Sequence, residues 1–208
     1  MCKRGNEKIM TDFKNSRTRI NLARAFAGEC QDGAKYQFLA KLALEEGYYY
    51  LQMILKTHAK NEMAHAKRFF DLLGKYSKEK LGNIDISGGY SYARGDLLES
   101  IRNTIDVETS QSDVVYPEFA SIAQDEGYED IAKAFLFAGT VENCHKLMLE
   151  QLYEKLKSGK LYKSPKPIKW KCNNCGFEHT SKECWDTCPS CEMEQGYAEI
   201  PIDMNSGD

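Results

Sequence analysis

Glu62-x-x-His65 and Glu142-x-x-His145 carry the same two ligand types at the same spacing. On a helix that spacing sets carboxylate and imidazole one turn apart on one side. A single such motif is commonplace on a solvated helix. Here each of the two copies is joined by a further glutamate on a neighbouring apolar stripe, Glu29 and Glu108. Four desolvated carboxylates cost several kcal/mol per ion unless cations accompany them. A pair of divalent metals supplies that counter-charge, and carboxylates with two imidazoles suit iron or manganese better than thiolate-seeking metals. A second constellation lies near the end of the chain, where Cys172-x-x-Cys175 and Cys188-x-x-Cys191 are separated by twelve residues. Each loop presents two sulfurs to one edge of a tetrahedron, a tetrathiolate metal site. Spacing leaves its metal open: zinc makes it structural, iron makes it a one-electron carrier. Cys184 is then a spectator, and Cys2, Cys30 and Cys144 are isolated thiols with no partner spacing.

Helices must position the first set. Leu22, Phe26, Glu29, Tyr36, Ala40 and Ala43 share one helical face, and Leu51, Ile54, His58, Glu62, His65, Phe69 and Leu72 share another. A third stripe runs from Leu98 through Ile101, Ile105, Glu108, Gln111 and Val115 to Ile122, and a fourth from Ile131 through Phe135, Glu142, His145 and Leu149 to Leu156. Four long helices are expected, with Gly47 and Gly127 ending the first and third. Tyr76 to Gly95 has no period and reads as a long crossover, the mark of a ferritin-like bundle rather than a simple up-down one. The halves repeat: a shift of eighty superposes Tyr36 on Tyr116, Glu46-Gly47-Tyr48 on Glu126-Gly127-Tyr128, and Glu62 and His65 on Glu142 and His145. Glu29 reaches Glu108 only at a shift of seventy-nine, so helix three holds one additional residue before Tyr116. A π-bulge aided by Pro117 absorbs it. The set Glu29, Glu62, His65, Glu108, Glu142 and His145 is the known ligand pattern of dinuclear carboxylate bundles. Tyr36 and Tyr116, two turns from Glu29 and Glu108, are expected to hydrogen-bond ligating carboxylates, and His58 reads as a core histidine.

Composition sets the outer limits. With 28 basic and 31 acidic residues and a net charge of -3, the chain lacks the broad basic surface of a nucleic-acid binder. A hydrophobic content of 42% provides a core, yet no run of about eighteen apolar residues spans a bilayer. No apolar segment of a secretory signal precedes Lys14, so a cytoplasmic, reducing location is expected, in which the 8 cysteines serve as thiols or metal ligands. Composition changes near Gly159, and Ser164-Pro-Lys-Pro167 follows. Residues 1–158 are expected to form an all-α bundle, residues 159–168 a linker, and residues 169–208 a small metal-knuckle β domain built on Trp170 and Trp185 that needs its metal to fold.

Ala25-Phe-Ala-Gly-Glu29, Asn61-Glu-Met-Ala-His65-Ala-Lys67, Tyr116-Pro-Glu-Phe-Ala120, Glu126-Gly-Tyr128 and the Cys188-Pro-x-Cys191 knuckle resemble the motifs of rubrerythrins, in order and over nearly the whole chain. The resemblance implies a four-helix ferritin-like bundle with two irons, a rubredoxin-like domain with one iron in the tetracysteine site (zinc being the usual substitute), and a homodimer. It also implies reduction of hydrogen peroxide, with electrons from NAD(P)H through a reductase or a rubredoxin. In that family a further carboxylate binds one iron when oxidised; Gln111 stands in its place here and cannot supply a charged ligand, so either a six-ligand site remains or the amide oxygen binds weakly or hydrogen-bonds a bridging species. On this reading Glu62 and Glu142 bridge the metals, Glu29 with His65 and Glu108 with His145 complete the two shells, and Tyr36, Tyr116 or a carboxylate supplies protons. The alternative is ferroxidase or iron handling, which explains the bundle but gives the cysteines no task; a zinc-bound interaction module and a manganese catalase are further readings.

Overall fold

A computed structural model describes residues 11–77 and 82–204; Cys2 and the residues that precede Thr11 lie outside them. Two helical hairpins form the bundle: α1 (Arg17–Glu45) with α2 (Tyr49–Tyr76), and a long interrupted helix with α5 (Glu129–Lys157). The interrupted helix is α3 (Leu97–Ser110), a π-helical turn (Gln111–Val115) and α4 (Tyr116–Asp125). The hairpin turns are copies of each other. Gly47 (φ 80°) and Gly127 (φ 89°) take the left-handed conformation past the helix end, and Tyr48 N and Tyr128 N donate back to Ala43 O and Ala123 O, each at 2.8 Å. This closure needs a residue without a Cβ at that position. Ser16 Oγ caps α1 through Arg19 N, and Asp96 caps α3 through Glu99 N.

The π turn sits between Glu108 and Tyr116, where the odd residue of the repeat had to go. Tyr116 N donates to Gln111 O, five residues back, and Pro117 follows at the start of α4 with no N–H to restore the regular ladder. Ser77 and residues 82–96 carry the chain across to the second hairpin, tied to α1 by Arg24 Nε to Ser87 O (2.8 Å) and Tyr90 OH to Arg24 O (3.1 Å).

Two apolar clusters fill the bundle. One holds Leu22, Phe69, Leu72, Tyr116, Ile131 and Phe135; the other holds Tyr36, Leu39, Leu51, Leu55, Ile101, Ile105, Leu149 and Leu152. The acidic residues lie in the layer between them. Among the described residues no helix is long and apolar enough to cross a membrane.

The C-terminal part contains one two-stranded antiparallel sheet, β1 (Lys163–Lys171) with β2 (Glu178–Glu183). β1 thus begins inside residues 159–168, the stretch expected to be a linker. Pro165 and Pro167 are tolerated because the ladder is irregular between Lys163 and Ile168, where no N–H is required of them. Trp170 is fully buried with Cys184 and Ala198, while Trp185 packs edge-on to Phe177. This part is docked on the bundle. Tyr197 stacks on Tyr49 at 4.3 Å, Ile200 joins the second apolar cluster, and Gln151 exchanges hydrogen bonds with the backbone of Asp203.

Candidate dinuclear metal centre

Glu29 on α1, Glu62 on α2, Glu108 on α3 and Glu142 on α5 are each 1% exposed, and His145 is 3% exposed. One group of ligand atoms, from Glu29, Glu62, His65 and Glu142, lies within 4.8 Å of one another; a second, from Glu62, Glu108, Glu142 and His145, does likewise. The groups are images of each other under the sequence repeat, and Glu62 and Glu142 belong to both. His65 Nδ1 is 3.1 Å from Glu142 Oε1 and 3.5 Å from Glu29 Oε2 and Glu62 Oε2; His145 Nδ1 is 2.9 Å from Glu62 Oε1. These approaches are close but poorly aligned. Glu29 Oε2, Glu62 Oε1, Glu108 Oε2, Glu142 Oε1 and His65 Nδ1 are buried with no hydrogen-bond partner, the state of atoms aimed at a common centre instead of at each other. The donor set fits a pair of hard-to-borderline divalent metals.

The electrostatics agree. Burial holds the Glu29 carboxyl well above the ordinary range despite the His65 contact, and burial with the charges of Glu142 and Glu62 does the same to Glu108. Burial also raises Glu62, but His145 and His65 outweigh it and bring it to about 2. The opposite balance lifts the histidines: burial lowers both, yet the carboxylates beside them hold His65 at about 12 and His145 at about 9. Without metals, protons must neutralise this layer; with metals, the same atoms become ligands.

Tyr36 and Tyr116 both contact the acids, but crosswise. Tyr36 OH donates to Glu108 Oε1 at 2.5 Å and Tyr116 OH donates to Glu29 Oε1, so each tyrosine serves the carboxylate of the opposite half, not the one on its own helix. His58 stacks on His145 (4.2 Å, 22°), is held neutral by burial with its pKa near 3, and stands in neither ligand group. Gln111 Nε2 donates to Asp32 Oδ2 at 2.8 Å. Two residues at the site were not singled out from sequence. Asn61 places its amide nitrogen 3.3 Å from His145 Nε2, on the side of the ring away from the carboxylates. Asp32, 8% exposed, follows Glu29 by the same three residues by which Gln111 follows Glu108, and that equality was the available signal.

Cys172, Cys175, Cys188 and Cys191 form the third group of clustered ligand atoms. Sulfur separations of 3.7 Å (Cys172 to Cys191) and 3.8 Å (Cys175 to Cys188) match the edge of a tetrahedron with a metal–sulfur bond of about 2.3 Å, which is about 3.8 Å. Matching turns shape the loops: Gly176 N donates to Cys172 O and Glu192 N to Cys188 O, with Gly176 and Glu192 both at positive φ. Cys184 is buried beside Trp170 and is not part of the group.

The sequence model of the rubrerythrin family matches residues 21–153 and 104–170. The rubrerythrin of Clostridium perfringens is 32% identical over 194 residues, covering 92% of this chain and 97% of that one; the rubrerythrin of Porphyromonas gingivalis is 33% identical, covering 93% and 94%. The chain belongs to the rubrerythrin family. Its dinuclear carboxylate/histidine site is accordingly a di-iron site, accompanied by a rubredoxin-like tetracysteine site, as in rubrerythrins. Among solved structures, the mixed-valence state of nigerythrin superposes with a TM-score of 0.58 at 22% identity, covering 97% of this chain and 96% of that one. A bacterioferritin of Desulfovibrio desulfuricans, described with its diiron site in different catalytic states, gives 0.59 at 19% identity and covers 75% of this chain. These two likenesses show the ferritin-like fold.

Proposed function

We propose that this chain is a peroxidase that reduces hydrogen peroxide to water, with electrons entering through the tetracysteine site. The observation that carries this reading is the presence in one chain of a di-iron bundle and a tetrathiolate knuckle docked against it. Iron storage or ferroxidase action needs the first and has no use for the second. Bound as a pair, ferrous iron supplies the two electrons and the Lewis acidity that peroxide reduction requires.

The residues divide the remaining work. Glu62 and Glu142, common to both ligand groups, would be shared by the two metals, with Glu29 and His65 completing one end and Glu108 and His145 the other. Tyr36 and Tyr116 hold Glu108 and Glu29 by hydrogen bonds from the opposite half, so a ligand on one hairpin is oriented by the other. The Asn61 amide, 3.3 Å from His145 Nε2, helps orient that imidazole. Gln111 binds Asp32 and leaves the ligand count at six. Cys172, Cys175, Cys188 and Cys191 would hold a single iron, which would supply one-electron chemistry between a rubredoxin or an NAD(P)H-dependent reductase of the cytoplasm and the bundle, as part of a defence against oxidative stress. Phe38, Phe70 and Phe137 are each more than half exposed, apolar surface that a second copy covers in a homodimer.

The test is stopped-flow oxidation of anaerobically reduced protein by peroxide, followed by turnover with NADH and a reductase. Glu142→Ala and His145→Ala should abolish peroxide consumption and keep the visible spectrum of the tetrathiolate iron. Retained turnover overturns the ligand assignment. Uptake of ferrous ions far beyond three per chain, or native zinc in the cysteine site, overturns the peroxidase reading.

A further inference from the structure

The two halves of the bundle are related by an approximate twofold axis, and contacts between equivalent residues locate it. The Tyr36–Glu108 contact and the Tyr116–Glu29 contact are images of each other, and Glu62 and Glu142 exchange places in the two ligand groups. Equivalent residues that touch each other must straddle the axis. Asp32 and Gln111 are such a pair: they follow Glu29 and Glu108 by three residues, are separated by 79 positions, and are joined by the 2.8 Å hydrogen bond. Glu62 and Glu142 approach the axis from α2 and α5, Asp32 and Gln111 from α1 and the π turn. Asp32 and Gln111 each follow a residue of the centre, Glu29 and Glu108, by three positions, and Asp32 and Glu108 line one cavity. A small molecule that approaches Glu108 through that cavity meets Asp32, which Gln111 holds.

The surroundings of Asp32 suit it to proton transfer. Tyr36 and Tyr116 are 1% exposed and their hydroxyls are committed to Glu108 and Glu29, so neither draws protons from water. Asp32 lines two cavities of about 590 and 480 Å³ together with Lys35; Gln111 and Tyr116 border the first, Tyr36 and Glu108 the second. Lys35 Nζ lies 3.0 Å from Asp32 Oδ1, and Gln111 holds the other oxygen.

We propose that Asp32 is a catalytic carboxyl that passes protons to peroxide from the twofold axis, with Gln111 positioning it and Lys35 renewing its proton from the cavity. The proposal rests on the peroxidase reading. Reduction of one peroxide breaks the O–O bond, forms one new O–H bond on each oxygen, and consumes two protons and two electrons. The electrons come from the reduced metal pair, which the external donor reloads. Lys35 passes a proton to the Asp32 carboxylate, Asp32 passes it to a peroxide oxygen, and water in the cavity reprotonates Lys35; the sequence runs twice for each peroxide, which leaves the Asp32–Lys35 ion pair as it began.

The experiment compares wild type with Asp32→Asn, Asp32→Glu and Lys35→Met, each loaded with iron and checked for iron content. Asparagine still accepts from Gln111 but carries no proton. Azide titration of the oxidised centre, read by absorbance, tests position: removing the negative charge in Asp32→Asn should tighten azide by about fivefold or more, and Lys35→Met should leave its colour band in place. Stopped-flow oxidation by peroxide tests transfer: Asp32→Asn should slow it about a hundredfold, Asp32→Glu should recover most of the rate, and Lys35→Met should slow it with a larger solvent deuterium effect. Unchanged azide affinity in Asp32→Asn overturns the placement. A shifted azide affinity with an unchanged peroxide rate overturns the proton role. If the reduced wild type is not oxidised by peroxide at all while azide affinity still shifts, the peroxidase reading falls and the placement of Asp32 stands.

Discussion

Glu29 and Glu108 are oriented by hydroxyls from the other hairpin, so the geometry of each ligand depends on a residue far away in sequence. Burial and the surrounding acids hold both tyrosines well above their ordinary pKa, which favours the protonated, hydrogen-bond-donating form. Tyr36→Phe and Tyr116→Phe should therefore each weaken metal binding by about 10- to 100-fold without unfolding the bundle. Competition with a chelator measures this. The double variant should lose more than either single one, because each end of the metal pair then has a loose carboxylate.

At the level of elements, the π turn keeps Glu108 and Tyr116 both facing the centre despite an uneven number of residues between them. Deleting Val114, which is 59% exposed, gives Glu108 and Tyr116 the seven-residue separation that Glu29 and Tyr36 have on the regular helix α1, so the turn should close to regular helix with both residues still facing the centre. Metal analysis of that variant should still show two irons in the bundle, and their loss would mean that the turn does more than absorb the additional residue. The hairpins are joined elsewhere by Glu126, which accepts from Arg17 N, Thr18 N and Thr18 Oγ1 and so caps α1 from the end of α4. Burial raises its pKa, but these bonds outweigh burial and leave it lowered. A carboxyl with a depressed folded pKa stabilises above its ordinary value and loses that contribution as pH falls through the folded one. Glu126→Ala should cost about 1 kcal/mol near neutrality, and urea unfolding curves of the two chains should converge below a pH of about 4.

For the whole molecule, the knuckle and the bundle meet at a seam with no spare room. A Cβ on Gly196 would fall 1.8 Å from Gly47 O, backbone against backbone, beside the stacked Tyr49 and Tyr197. Gly196→Ala should undock the C-terminal part while both metal sites stay loaded. Faster tryptic cleavage at Lys160 or Lys163, with unchanged iron content, is the expected result. On the proposed relay, electron delivery to the bundle should slow in the same variant, since the two centres are then no longer held at a fixed separation.

The ligand types, the repeat, the crossover and the additional residue of helix three were legible because each follows from spacing along a helix, a one-dimensional property. Glu62-x-x-His65 places two groups on one face whatever the rest of the chain does, and the mismatch of seventy-nine against eighty demands a bulge somewhere between Glu108 and Tyr116. Contacts between elements were not legible. Periodicity states which face of α1 is buried but not which residue of α3 meets it, so the crossed tyrosines, the Asn61 contact to His145 and the Asp32–Gln111 bond appear only when the hairpins pack. The same holds for residues 163–168, where two prolines suggested a free linker and pairing with β2 made a strand. Local chemistry wrote the ligands into the sequence; packing of two similar hairpins about an axis chose which side chains would stand beside them.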